Sequence, residues 1–186
     1  MKSATIASLE PSVLSENILS AIYDPLVEQR ADGTYGPAIA TEWSANEDST
    51  VWTIKIREGV SFSDGTPVSS LTIAGMLGVQ AEGAQSAGTL AAAGVQDLEV
   101  VDGYTVRYIL GSPNAVFPAF LAEPSIGFVF NPAVALSDDA ANAPVGIGTG
   151  AFVVESRDID NETVNDNFNN FDNFNNIDND NLSVFS

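Results

Sequence analysis

Residues 52–70, WTIKIREGVSFSDGTPVSS, carry the strongest structural signal in the sequence. The first half of this stretch alternates apolar residues at 52, 54 and 56 with polar residues at 53, 55 and 57, which predicts a half-buried antiparallel strand with Trp52 on the buried side. Residues 42–46 are the expected partner strand, because the intervening SANEDST is rich in turn formers. The second half closes on Asp64-Gly65, a strong turn signal.

The composition predicts one soluble, globular domain. The chain has 186 residues, 45% of them apolar, which is enough to bury a core. Its formal charge of -19 arises from 25 acidic against 6 basic residues, so we expect no nucleic-acid partner. The same charge disfavours an anionic membrane surface, and no apolar run reaches the roughly 20 residues of a spanning helix, so no direct membrane insertion is expected.

The chain contains neither Cys nor His. This excludes thiolate nucleophiles, imidazole bases and cysteine-based zinc sites, so we expect no enzyme, no catalytic residue, no cofactor and no metal site. The carboxylate pairs Glu47-Asp48 and Asp138-Asp139 could suggest acid–base chemistry, but their turn-like surroundings favour a solvated face. The opening MKSATIASLEPS has no secretory apolar core, so an export signal was either removed or never present.

Local patterns predict the elements on either side of the opening stretch. A first strand is expected at residues 3–8, followed by a helix of about ten residues that Ser15 caps and Pro25 closes or bends. Asp32-Gly33 predicts a turn. A helix capped by Ser69 or Ser70 follows the opening stretch, and the Gly- and Ala-rich run up to residue 94 is expected to mix helix and loop.

The second half of the chain predicts mostly strands. Residues 95–110 read as a hairpin with a type I′ turn at Asp102-Gly103. A short helix is expected to open at Asn114, an apolar strand to cover residues 126–131, and a glycine loop to lead into a further strand. Residues 161–186 hold ten Asn and five acidic residues, a low-complexity tail predicted to be disordered or loosely docked.

Three glycines and three aromatic residues are candidates for ligand binding. Gly146, Gly148 and Gly150 could form a phosphate loop, but no long helix follows, so we interpret them as a backbone crossing at which a Cβ would clash. The aromatic residues Trp43, Trp52 and Tyr23 could stack a ligand; core packing is the better reading for Trp52, because it lies on the apolar side of its strand.

Taken in order, several motifs resemble the family 5 extracellular solute-binding proteins, the oligopeptide, dipeptide and nickel receptors of ABC importers. The resemblance runs from about Ala4 to Asp158. The motifs that carry it are Tyr23-Asp24-Pro25-Leu26-Val27, Asp32-Gly33, Pro37 to Trp43, Arg57-Glu58-Gly59-Val60-Ser61-Phe62 with Gly65-Thr66-Pro67, VVDGYTVRYIL and GIGTGAF. Departures are Ser69-Ser70, where the family usually has a helix with an Asp-Val pair, and Ala151, where it prefers Pro.

The resemblance implies an α/β (α+β) fold: the first lobe and small subdomain of a two-lobed, type II-like periplasmic-binding-protein clamshell. Members are much longer, so the second lobe is expected to be missing. The implied domains are residues 1–40 as the first segment of lobe I, 41–140 as a strand-rich subdomain, 141–160 as the return crossing into lobe I, and 161–186 as the tail.

The resemblance also implies a function. We expect the substrate-binding component of an ABC-type importer for peptides or similar small solutes, with binding weakened by truncation; the alternative is a non-binding structural or interaction fragment of such a receptor. A periplasmic or extracellular location and a membrane ABC permease as partner follow from the family. The candidate ligand-binding residues are Glu10, Ser12 and Tyr23, each with a structural role as the alternative.

Overall fold

The computed structural model describes residues 19–135 and 147–151, together with the backbone of residues 153–158 and 163–167. The strands are β1 (Val27–Gln29), β2 (Tyr35–Pro37), β3 (Ala40–Ala45), β4 (Val51–Ile56), β5 (Val95–Asp102), β6 (Thr105–Leu110), β7 (Val153–Asp158) and β8 (Thr163–Asn167). The helices are α1 (Ser70–Glu82), α2 (Ala84–Ala93), α3 (Phe117–Phe120), α4 (Pro124–Gly127) and α5 (Pro132–Ala135). Residues 19–22 are also helical; the predicted strand at 3–8 and the Ser15 cap lie outside the described residues.

A four-stranded antiparallel sheet in the order β3-β4-β6-β5 forms the centre of the fold. The predicted strand at 51–57 is confirmed as β4, and its expected partner is confirmed as β3, in which Ala45 pairs with Trp52. The alternation of β4 continues across the sheet, because Trp52 lies opposite Tyr108 of β6. One face of β4 and β6 is therefore buried; its side chains are Trp52, Ile54, Ile56, Val106, Tyr108 and Leu110.

Trp52 is a core residue, as its position on the strand predicts. Its ring lies 6.0 Å from that of Phe117, and Tyr108 lies 5.2 Å from the same ring. The indole Nε1 donates a hydrogen bond to the carbonyl oxygen of Asn114 at 3.1 Å, so the polar edge of the buried ring is satisfied. Trp43 also packs against this core, but its side chain is only partly buried.

The helix predicted after Ser69 is confirmed as α1. The amide of Ser69 donates to Thr72 Oγ1 at 3.1 Å, which fixes the first turn. The run up to residue 94 is more helical than the predicted mixture, because only Gly83 interrupts it before α2 begins. Ser86 Oγ donates to the carbonyl oxygen of Gln80 at 2.7 Å, and the amide of Gly83 donates to the same oxygen at 3.3 Å, so two hydrogen bonds close the break.

The hairpin of β5 and β6 is confirmed, but its turn is not type I′. A type I′ turn needs positive φ at both central residues, and neither Gly103 nor Tyr104 has it. Asp102 instead accepts a hydrogen bond from the amide of Tyr104 at 2.8 Å. A register shift between Val100 and Asp102 marks a bulge beside the turn, which accommodates the twist that a type I′ turn would otherwise match.

Two predicted elements between residues 114 and 131 need correction. The short helix begins at Phe117, not Asn114, since Asn114 uses its Oδ1 to accept the amide of Val116 at 3.1 Å. The apolar strand predicted at 126–131 does not form a regular strand in a sheet. α4 ends at Gly127, and Phe128 and Phe130 each form only an isolated β-bridge. Phe128 packs against the small cluster of Leu19, Ile22 and Tyr23, and Phe130 packs against both that cluster and the main core. These side chains are therefore partly buried without a regular strand.

The glycine loop leads into β7, as predicted. β8 pairs with it antiparallel and lies inside the segment 161–186 that was predicted to be disordered or loosely docked. At Thr163–Asn167 the structure differs from the disordered alternative, because pairing with β7 satisfies backbone groups that composition alone would leave to water. Residues 168–186 lie outside the described residues.

Candidate functional site

Three segments converge at one place, which we call the crossing: residues 22–27, 127–131 and 147–150. The amide of Val129 donates to the carbonyl oxygen of Asp24 at 2.9 Å, and the amide of Leu26 donates to Gly127 at 2.8 Å. From the third segment, the amide of Gly150 donates to the carbonyl oxygen of Ile22 at 2.8 Å. The crossing is therefore held by backbone hydrogen bonds between segments that are far apart in sequence.

The glycines of the third segment are confirmed as a backbone crossing. A Cβ on Gly148 or on Gly150 would overlap backbone atoms of Ile22, closer than real Cβ atoms come. The amide of Gly150 is already bonded to Ile22, so it is not available to a phosphate. Gly146, the first glycine of the loop, lies outside the described residues.

Tyr23, a predicted ligand contact, lies inside the crossing. Its side chain is 7% exposed and packs in a small cluster with Leu19 and Ile22, against which Phe128 and Phe130 also lie. This burial matches the structural alternative, and the ligand role stays a prediction. The other two candidates, Glu10 and Ser12, lie outside the described residues and are predictions as well.

The turn at residues 60–68, which we call the signature turn, is built as its sequence predicts. Gly65 has φ +84°, a conformation that suits glycine. The amide of Phe62 donates to the carbonyl oxygen of Thr66 at 2.8 Å, and the amide of Val68 donates to that of Val60 at 2.9 Å. The side chain of Phe62 is buried in the main core, where it anchors the turn.

The signature turn is attached to the crossing by two hydrogen bonds. The amide of Ser63 donates to the carbonyl oxygen of Gly148 at 3.0 Å. The side-chain Nδ2 of Asn131 donates to Asp64 Oδ2 at 3.1 Å. The signature turn thus also holds the segments around Tyr23 in place.

The charge of Asp64 suits this attachment. Desolvation raises the pKa of its carboxyl, but hydrogen bonds from Thr66 and Asn131 outweigh that effect and hold the pKa below its ordinary value. The carboxylate therefore accepts charge-assisted hydrogen bonds across the neutral pH range.

Sequence reasoning missed two residues of the crossing. Asn131 accepts the amide of Ala133 through its Oδ1 at 3.1 Å, and Thr149 Oγ1 accepts the amide of Asp24 at 3.2 Å. The pair Asn131-Pro132 is itself a turn and helix-start signal and could have indicated the first contact. Nothing local to Thr149 indicates a partner 125 positions away.

Two ion pairs and one turn aspartate of the described segments lie on solvated surfaces. Lys55 pairs with Glu42 at 2.7 Å and Arg107 with Glu99 at 3.2 Å, all four side chains being well exposed. Asp48 Oδ1 accepts the Thr50 hydroxyl at 2.6 Å, so Asp48 closes a turn, in keeping with the solvated reading of the Glu47-Asp48 pair. Asp138-Asp139 lies outside the described residues.

Neither a metal cluster nor a membrane span is found in the part of the chain that the structure describes. There, no three acidic side chains come together as a set of metal ligands. Within the same residues, no helix combines the length and the apolar character that crossing a bilayer requires.

Comparisons with known proteins agree with the resemblance drawn from the motifs. The model of the bacterial extracellular solute-binding proteins, family 5 Middle, matches residues 34–183. The probable D,D-dipeptide-binding periplasmic protein of Escherichia coli K12 is 29% identical over 176 residues, covering 83% of this chain and 32% of that protein. The nickel-binding periplasmic protein of the same organism is 37% identical over 65 residues, which are 33% of this chain and 12% of that protein.

Solved structures match the fold. The mannopinic-acid-bound binding protein of A. tumefaciens R10 superposes with a TM-score of 0.70 at 26% identity, covering 83% of this chain and 32% of that one. The nickel-type binding protein of Brucella suis, solved with Fe(III)-EDTA, has a TM-score of 0.63 at 28% identity, covering 76% and 29%. The mixed α/β fold class is thereby confirmed, and the chain spans about a third of the length of these relatives. The chain belongs to the bacterial extracellular solute-binding proteins of family 5.

Proposed function

We propose that this chain is part of the substrate-binding component of an ABC-type importer for peptides or similar small solutes. The family match over residues 34–183 carries the proposal, because it includes the signature turn and the glycines of the crossing. The relative with the longest aligned stretch among those described above is named for D,D-dipeptide binding, so dipeptides are the first solutes to test. The matched relatives are named as binding proteins, which supports the expectation that the chain is not an enzyme.

Tyr23, Glu10 and Ser12 are proposed to line the solute side of the first lobe. The support for Tyr23 is its place among the three segments of the crossing, where Gly148, Phe128 and Phe130 pack against it. An aromatic ring held this rigidly can pack against a solute at little entropic cost. Glu10 and Ser12 follow from the sequence alone.

The proposal also covers the binding affinity of the chain and its cellular location. In the family, a solute is enclosed between two lobes, and ligand burial on both sides supplies most of the affinity. This chain spans about a third of its relatives' length. We therefore propose that its 186 residues by themselves bind more weakly than those relatives. The relatives are named as periplasmic proteins, which supports a periplasmic or extracellular location. A membrane ABC permease is proposed as the partner because the chain belongs to family 5.

A thermal-shift experiment tests this function across solute classes. The purified chain is heated with D-alanyl-D-alanine, L-alanyl-L-alanine, a tripeptide or nickel sulfate, each over a concentration series. A solute that binds the folded state raises Tm in proportion to the logarithm of its concentration above Kd. The expected result is a rise with at least one peptide, reduced by Tyr23→Ala. Unchanged Tm with every solute would favour the alternative, a structural fragment that does not bind.

A further inference from the structure

The chain contains the tripeptide Asp-Gly-Thr twice, at residues 32–34 and 64–66. In both copies the aspartate Oδ1 accepts the amide of the threonine, at 3.0 Å for Asp32 and 2.8 Å for Asp64. Gly33 and Gly65 also have nearly equal φ values, +82° and +84°. Closing this turn therefore requires only one carboxylate oxygen.

The second oxygen distinguishes the two copies. Asp64 Oδ2 accepts the side-chain Nδ2 of Asn131, which is 67 positions away in sequence. No second contact of this kind is found for Asp32 among the described residues. Asn131 is only 8% exposed, and its Oδ1 is engaged by the amide of Ala133, so its amino group has a fixed direction toward Asp64.

The contact between Asp64 and Asn131 is linked to the crossing through a neighbour of each residue. Asn131 follows Phe130, which bridges to Gly148, and the neighbouring Ser63 amide is bonded to the Gly148 carbonyl. Gly148 in turn lies against Ile22 and the ring of Tyr23. A displaced signature turn would therefore release the segment that packs on Tyr23.

We propose that Asp64 is a positioning residue, which acts through Asn131 to hold residues 148–150 against Ile22 and Tyr23. Its link to solute binding rests on the proposed function. The hydrogen bond has an ionised acceptor, which makes it stronger than a neutral bond of the same length. Asp32 has the same local turn without the long-range contact, so it provides a matched control within the chain.

Hydrogen exchange of the Gly150 amide in the full chain measures the proposed coupling, because that amide is bonded to Ile22 and is remote in sequence from the substitutions. Asp64→Asn keeps an oxygen for Thr66 but directs a second donor group at Asn131. Asn131→Asp places two carboxylates together. In each single variant the Gly150 amide is expected to exchange about tenfold faster, because one charge-assisted hydrogen bond is lost.

The double variant Asp64→Asn/Asn131→Asp decides the matter. It exchanges donor and acceptor, so the contact re-forms with reversed direction, and the Gly150 rate is expected to return to within about twofold of the original. The proposal would be overturned if the Gly150 amide exchanged as fast in the double variant as in the faster of the two single variants. It would also be overturned if Asp32→Asn accelerated Gly150 exchange to the same degree. Unchanged protection of the β4 and β6 amides shows that each variant is folded.

Titration of the same variants with D-alanyl-D-alanine separates the two claims. Affinity is expected to fall in both single variants and to recover in the double variant. If the unsubstituted chain binds neither this dipeptide nor any other solute of the thermal-shift series while the exchange rates follow the expected pattern, the proposed function fails and the positioning role stands. If the dipeptide binds but Gly150 exchange is unaffected by Asp64→Asn, the positioning role fails and the function stands.

Discussion

The α-carbon of Gly148 lies so close to the carbonyl oxygen of Ile22 that a methyl group on it would overlap that oxygen. Two residues further on, the amide of Gly150 donates a hydrogen bond to the same carbonyl at 2.8 Å. The approach that makes this hydrogen bond possible is therefore available only to residues without a side chain. It joins the return segment to the residue immediately before Tyr23, and so connects the family's glycine motif to the proposed solute side.

Gly148→Ala is expected to lower the free energy of unfolding by about 1–3 kcal/mol, because the obstacle is backbone and cannot rotate away. Urea unfolding followed by tryptophan fluorescence measures this. Gly88→Ala is the matched control: Gly88 lies inside α2 with nothing within 4 Å of an added Cβ, so the same change should stabilise by about 0.5–1 kcal/mol. Equal effects at the two positions would contradict the close approach.

Two Asp-Gly turns should respond differently to the same substitution. Gly65 has φ +84°, so Gly65→Ala should cost about 1 kcal/mol of backbone strain, although nothing lies within 4 Å of the new Cβ. Gly103 has equally open space but no positive φ, so Gly103→Ala should change stability by less than about 0.5 kcal/mol. Midpoints of urea unfolding compare the two. A large loss at Gly103 would restore the type I′ turn that the sequence predicted.

Phe117 is expected to be the most sensitive aromatic residue of the main core. It is 0% exposed and lies between Trp52 and Tyr108, so Phe117→Ala should cost about 3–5 kcal/mol through lost burial and a residual cavity. The adjacent Val116 is 65% exposed, and Val116→Ala should fall within about 0.5 kcal/mol of the original. Thermal unfolding by circular dichroism measures both. Comparable losses at the two positions would mean that the helix is placed in the wrong register.

Acid should destabilise the chain through its turn aspartates. The pKa of Asp48 is lowered by the side-chain and then the backbone hydrogen bond of Thr50, and that of Asp102 by the backbone of Tyr104 and the side chain of Thr105. Because these pKa values are lower in the folded than in the unfolded chain, their contribution is complete above the unfolded value of about 4 and is lost as pH falls through the folded value.

The measurement is the urea midpoint between about pH 2 and pH 6. It should fall with pH, and Asp48→Asn should flatten the fall, since the amide cannot lose a charge. Glu47→Gln serves as the comparison at the neighbouring acidic position of the same turn. A variant lacking the Asp48 charge that shows the full acid dependence would contradict the assignment of the effect to this turn.

Sequence alone predicted the elements whose signals are local. The alternation around Trp52 gave β4 with its buried face, because a strand with one face on the core must repeat every two residues. The glycines at 148 and 150 were correctly read as a crossing, since the absence of a following helix argued against a phosphate loop. The turn at Asp102-Gly103 was predicted correctly but its type was wrong, because the dipeptide indicates a turn while the neighbouring bulge selects the turn type.

The candidate site was less accessible to sequence reasoning. Phe128 and Phe130 looked like strand residues, but their apolar character reflects packing against Tyr23 and the main core. The contact between Asp64 and Asn131 joins two side chains 67 positions apart, and no local pattern encodes such a pair. Tyr23 was singled out from its family motif, and its burial in the crossing became visible only in three dimensions.

Isothermal titration of the purified chain with a series of di- to pentapeptides measures solute binding itself, with light scattering to establish that the sample is monomeric and circular dichroism to establish that it is folded. We expect saturable binding of at least one peptide at about micromolar Kd or weaker, with affinity reduced by Tyr23→Ala and unchanged by Val116→Ala. Absence of saturable heat from a folded monomer with every peptide would contradict the claim that this chain itself binds solute.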